Sequence, residues 1–232
     1  NEKRQYKLYK SPHDTRDIVI PFALDVPVPS KIDLRPKLSP VLNQGNLGSC
    51  CSNAASSCIR YLLKKEGLPE FQPSRLYIYY NTRVNIAKAP QDKDTGVCIR
   101  DICKSITKYH ACDEKIWPYI IKKFSTAPSL EAYKNADLFK NVEYSFVPLS
   151  IDLVKSLLTE GYPIITGLVI YESFESDYVM NTGDIPLPDK TKEKMLGGHA
   201  LLIVGFDDST QKLLLLNSWG KHWGKDGYCE LP

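Results

Sequence analysis

The chain has 232 residues, 43% of them apolar and 25% charged, with a formal net charge of +3. That length supports a sizeable core, built as one large domain or as two small lobes around a cleft. The small net charge gives no basis for nucleic acid or an acidic membrane as an obligate partner, and no uninterrupted apolar run is long enough to cross a bilayer.

Asn1 to Ser11 is polar and basic and is not followed by the apolar core of a signal peptide. Residues 1–28 read differently from the rest and are expected to form an N-terminal extension. Within them, Ile18-Val-Ile-Pro-Phe-Ala-Leu-Asp-Val-Pro-Val is apolar, yet Pro21 and Pro27 forbid a continuous helix, so an extended segment is expected. An apolar extended segment needs a surface to lie on. From Cys50 to Lys64, Ala54, Ala55, Cys58, Ile59, Leu62 and Leu63 recur at helical spacing, and Gly67 ends the helix. A second helix is expected over Ile99 to Tyr109.

The second half changes character. Tyr162 to Tyr171, Ala200 to Phe206 and Lys212 to Asn217 read as strands bounded by Gly, Asp and Ser turn signals. The Pro- and Lys-rich stretch Asp184 to Lys194 is expected as a surface loop. Helices gathered early and strands late predict an α+β protein with two lobes. Seven cysteines, Cys50, Cys51, Cys58, Cys98, Cys103, Cys112 and Cys229, leave at least one free thiol in a monomer. They form no evident disulfide framework, and the sequence has no Asn-x-Ser/Thr acceptor. Both features lean towards a reducing compartment such as cytoplasm or a virion.

Three segments carry candidate chemistry. In Gln44-Gly-Asn-Leu-Gly-Ser-Cys50 a thiol stands at a helix N-terminus, where the macrodipole favours the nucleophilic thiolate. In Gly197-Gly-His199-Ala-Leu-Leu-Ile-Val an imidazole opens an apolar strand, a rigid place from which to reach across a cleft. In Asn217-Ser-Trp-Gly-Lys-His-Trp, Asn217 ends a strand and can accept the proton of the ring nitrogen that faces away from the thiol. Trp219 and Trp223 can cover that hydrogen bond. Taken singly, the bland readings are a buried small residue, a structural histidine and a packed turn. Together the segments favour chemistry.

In order and spacing they resemble the signature blocks of the papain and cathepsin peptidases, whose His and Asn follow the Cys by about 130–150 residues. His199 matches that spacing and Asn217 lies somewhat beyond it. The resemblance extends over nearly everything from Pro29 onward: Pro29-Ser-Lys-Ile-Asp-Leu-Arg35 is similar to the mature opening, Asp94-Thr-Gly96 to the glycine loop, and Trp117-Pro-Tyr119 to the Tyr-Pro-Tyr turn. It implies a two-lobe papain-like fold in residues 29–232, with a helical lobe over about 29–140 and an antiparallel, β-barrel-like lobe over about 141–232. It also implies peptide or protein substrates and no cofactor or metal. Cys50 would be the nucleophile, His199 the acid and base, and Asn217 its orienter. Gln44 would help hold the oxyanion, with Gly96, Gly198 and Trp219 lining the substrate groove.

Leu47 and Cys51 depart from the commoner Cys-Gly-Ser-Cys-Trp block. The Leu-Gly-Ser-Cys form with a short N-terminal extension resembles bacterial and large-virus members. The sequence stops four residues after Tyr228, where relatives continue with a strand that lines a substrate pocket. The alternatives are a silent peptide-binding protein on a peptidase scaffold and a Cys-His acyltransferase, whose orienting residue would be Asp. A zinc site of Cys98, Cys103, His110 and Cys112 departs from paired Cys-x-x-Cys spacing. Residues 1–28 are expected to lie over or within the cleft of a monomeric zymogen, with Ile18 to Leu24 and a buried Phe22 supplying the contact.

Overall fold

The computed structural model describes residues 4–20, 27–38, 40–139 and 142–232. The first helix, α1 (Cys50–Lys65), starts after Ser49 and buries Cys50, Cys51, Ala54, Ala55 and Cys58. It ends as its residues dictate: Gly67 takes a left-handed φ of 66°, and Leu68 N–H closes back on Leu63 O at 2.9 Å. A second helix, α2 (Arg75–Tyr80), runs on into a π-helical turn over Asn81–Ile86. α3 (Ile99–Tyr109) covers the residues expected of it. Three shorter helices follow, α4 (Leu130–Ala136), α5 (Ile151–Thr159) and α6 (Asp177–Thr182), each opened by a serine whose hydroxyl accepts a backbone N–H of the first turn.

Five strands form one antiparallel sheet: β1 (Lys31–Asp33), β2 (Ile164–Tyr171), β3 (Met195–Asp207), β4 (Lys212–Leu216) and β5 (Tyr228–Leu231). The 13-residue β3 is its spine. Its first part pairs with β2, with Leu168 opposite His199, and its last residues pair with β1. The other edge carries β4 and then β5. The second lobe is thus antiparallel, but among the described residues the sheet is open and does not close into a barrel.

Two hydrophobic clusters make the core. One gathers the strands with Leu158, Phe174, Ile185 and Trp223; the other gathers α1, α2 and α3 with Ala132 and Ala136. α1 belongs to both, Cys50 and Ala55 facing the helical cluster and Cys58 and Tyr61 the strand cluster. A cleft between these layers therefore has the start of α1 on one wall and β3 on the other.

The N-terminal residues cross that cleft. Leu8 N–H donates to Gly198 O at 3.1 Å, Ser11 and Asp17 bind Arg100 on α3, and Ile20 N–H donates to Phe146 O at 3.1 Å. The expectation for the apolar run needs correcting. Ile18 and Val19 are 69% and 53% exposed, and the polar stretch around Arg4–Leu8 takes the cleft. Phe22 and the rest of 21–26 lie outside the described residues. Among the described residues no helix is long and apolar enough to cross a membrane.

Candidate active site

The loop before α1 is held by side chains far away in sequence. Gln44 N–H donates to Ser218 O at 2.8 Å, and its Oε1 accepts from Ser218 Oγ at 2.7 Å. Its Nε2 donates one hydrogen to Leu47 O at 2.9 Å. The second amide hydrogen remains for a ligand, so Gln44 is fixed yet able to donate. Tyr119 OH donates to Gln44 O at 2.9 Å and lies 2.6 Å from Ser49 Oγ. Asn53 Nδ2 also donates to Ser49 Oγ at 3.1 Å, and Ser49 makes no side-chain cap to a backbone N–H of α1. Beneath, Arg75 stacks on Tyr119, pairs with Glu114 at 2.7 Å and donates to Asn43 O and Asn53 Oδ1. The motif Trp117-Pro-Tyr119 pointed at this turn. Arg75 and Glu114 carried no recognisable signal in the sequence.

Cys50 is 1% exposed and His199 fully buried. His199 Nε2 and Asn217 Oδ1 are 2.8 Å apart, and Asn217 Oδ1 also accepts Ser218 N–H at 2.8 Å, which fixes the amide so that its oxygen faces the ring. Nδ1 makes no hydrogen bond and is the nitrogen left for Cys50. The Trp219 indole stacks on the imidazole at 4.7 Å between centroids, and Trp223 and Phe174 close around the indole. This cover keeps water from the imidazole–amide bond. The thiol of Cys50 is held well below the ordinary thiol range, first by the adjacent Cys51 thiol, then by the His199 imidazole, against the effect of burial. Cys51 moves the opposite way, since donation to a thiolate at Cys50 and burial both favour its protonated form. Its Sγ also lies 3.7 Å from Val97 O.

Gly96, Gly198 and Trp219, the residues expected to line a substrate groove, come together around the chain's own N-terminal segment. A Cβ on Gly96 would stand 1.9 Å from Lys7 O, and one on Gly198 would stand 2.3 Å from Leu8 O. Only bare backbone allows a peptide that close. Arg4 lies over Trp219 at 3.9 Å and pairs with Glu175 at 2.8 Å, while Tyr6 meets the imidazole edge-on. Leu8 fills the space beside Gly167 and Ile99.

All seven cysteines are free. Among the described residues no group of three or more His, Cys, Asp or Glu side chains could hold one metal ion, so Cys98, Cys103, His110 and Cys112 do not assemble into a zinc site.

A thiol at a helix start, facing an imidazole whose far nitrogen is bound by an amide, is the equipment of a thiol hydrolase. The model of the papain family cysteine proteases matches residues 28–232, and the chain belongs to that family. It is 36% identical over 256 residues to a peptidase C1-like protein of Acanthamoeba polyphaga mimivirus, covering 99% of this chain and 81% of that one. Its structure superposes on xylellain, a cysteine protease from Xylella fastidiosa, with a TM-score of 0.88 and 35% identity, covering 100% of this chain and 92% of that one. A digestive procathepsin L 3 of Tenebrio molitor shares the fold, with a TM-score of 0.71 at 17% identity over 93% of this chain and 68% of that one. The chain is thus a papain-like cysteine peptidase, similar to bacterial and large-virus proteins.

Proposed function

We propose that the chain hydrolyses peptide bonds through a Cys50 acyl-enzyme, and that residues 4–8 hold the site closed. The observation that carries the catalytic reading is the division of His199: Nε2 is bound to Asn217 and Nδ1 is left open towards Cys50. As thiolate, Cys50 attacks the scissile carbonyl. The carbonyl oxygen takes up negative charge against the free Gln44 amide hydrogen and the Cys50 backbone N–H. His199 gives its proton to the leaving amine, and the thioester forms. Water then attacks the thioester, His199 takes its proton, the C–S bond breaks to regenerate the Cys50 thiolate, and the acid product leaves.

The closed state is supported by position. Lys7 and Leu8 take the backbone edge of Gly96 and Gly198 that a substrate would need, and Tyr6 stands against His199 and Trp219. Residues 1–28 then act as a prosegment of the domain that follows. The nucleophile is tested by substitution. Cys50→Ala should abolish cleavage of a fluorogenic peptide and Cys51→Ala should retain most of it. An active Cys50→Ala protein beside a dead Cys51→Ala protein would refute the assignment.

A further inference from the structure

The N-terminal segment is a peptide bound in the cleft, so its side chains report what the walls accept. Lys7 Nζ donates to Asp94 Oδ2 at 2.8 Å and to Asp94 O at 2.6 Å, with the lysine 30% and the aspartate 16% exposed. Two uncharged donors also hold that carboxylate: Gly48 N–H, at 3.1 Å from Oδ2, and the Tyr79 hydroxyl. They fix its direction without supplying a countercharge, and the Arg83 guanidinium, close enough to interact with Asp94 electrostatically, makes no ion pair with it among the described residues. Among the described residues its ion-pair partner is Lys7. Arg83, whose guanidinium lies 5.2 Å from the Tyr79 ring, donates to the carbonyls of Pro90, Gln91, Lys93 and Phe124. Anchoring alone would need only an acceptor, which an amide supplies. The negative charge is surplus to that task.

The opposite wall repeats the arrangement. Glu175 follows Phe174, whose ring packs on Trp219 at 5.6 Å, and it binds Arg4 at 2.8 Å and the Tyr6 hydroxyl. Arg4 also lies over the Trp219 face, a second feature suited to a cation. Asp94, bonded to Gly48, belongs to the Cys50 wall, and Glu175 to the His199 wall. Once residues 4–8 leave, each carboxylate faces the cleft without its cation.

We propose that Asp94 and Glu175 are specificity-determining residues, which make this cleft select peptides carrying lysine or arginine on both sides of the reacting thiol, one cation to each carboxylate. This rests on the peptidase reading above. The test uses full-length Leu8→Asp protein, in which the segment's apolar anchor is lost, and a peptide series varied one position at a time between Lys, Arg, norleucine and Glu. At one position on each side of the cleaved bond, Lys or Arg should exceed norleucine in kcat/KM by about tenfold, the scale of a charge-assisted hydrogen bond. Asp94→Asn, which keeps an acceptor for Tyr79, should collapse the preference on one side, and Glu175→Gln that on the other. Both preferences should shrink between ~50 mM and ~500 mM salt, a comparison that needs no change at either carboxylate. Cleavage with equal kcat/KM for Lys and norleucine at every position would overturn the proposal, as would preferences that survive both substitutions. Cleavage of none of the peptides by Leu8→Asp protein whose Cys50 is alkylated by iodoacetamide would overturn the peptidase reading itself, and the proposal with it.

Discussion

Leu8→Asp tests the closed state while leaving every wall of the cleft intact. Leu8 is partly buried beside Ile99 and occupies the space a Cβ on Gly167 would claim, 2.6 Å from its Cδ2. Full burial of a leucine side chain contributes about 1.5–3 kcal/mol, so the half-buried Leu8 contributes about 1–2 kcal/mol. An aspartate there adds about 1–2 kcal/mol for a polar group pressed against apolar walls without a partner. The sum, about 2–4 kcal/mol, moves the closed-to-open ratio by roughly 30- to 1000-fold. The rise in rate follows that shift until the open form predominates. Initial rates on a fluorogenic peptide measure it, with thermal melting as a check on folding. Leu8→Met, similar in volume and polarity, should stay near wild type. Added peptide spanning residues 1–28 should suppress the Leu8→Asp protein. Equal rates for the two folded proteins, with no effect of the peptide, would refute the closed state.

Two further outcomes follow from the site. In Leu8→Asp protein, alkylation by iodoacetamide should already be fast in mildly acidic solution, because a lowered thiol pKa keeps thiolate present as pH falls towards it. That phase should vanish in Cys50→Ser, and a single inflection near the ordinary thiol value of 9.0 would count against the assigned ion pair. Asn217→Ala removes a buried 2.8 Å bond to the imidazole, and kcat should fall by about 10- to 150-fold, the equivalent of about 1.5–3 kcal/mol for a hydrogen bond to a charged group. A kcat within twofold of wild type would show that Trp219 stacking alone orients the ring.

What the sequence revealed depended on periodicity. α3 buries one stripe, while α1 is buried on all sides over its first two turns, and the limits of both were legible almost to the residue. α2 and its π-helical continuation were not. Arg75 to Arg83 is buried on all sides, so no polar face alternates with an apolar one, and its tyrosines favour a strand reading. The candidate site was legible because its three segments are short and dense in unusual residues. Which part of residues 1–28 meets the cleft was not legible, because Arg4 and Lys7 bind Glu175 and Asp94, partners 171 and 87 residues away that no local pattern announces. The open sheet has a similar origin, since which edges meet is decided by tertiary packing that strand patterns leave unspecified.

The segment that crosses the cleft is part of the same polypeptide as Cys50. Its return to the cleft is therefore a first-order event, and its local concentration does not change with the number of molecules in solution. If the segment closes the site as proposed, dilution, which releases a separate inhibitor, would leave the chain closed. His199 lies in β3, laddered to β2 at its own position, so its backbone is seated by the sheet and not by residues 4–8. On the proposed reading, opening would require no rebuilding of the thiol–imidazole pair, and it would become irreversible only when a backbone bond in the connecting stretch is cut and the freed peptide diffuses away.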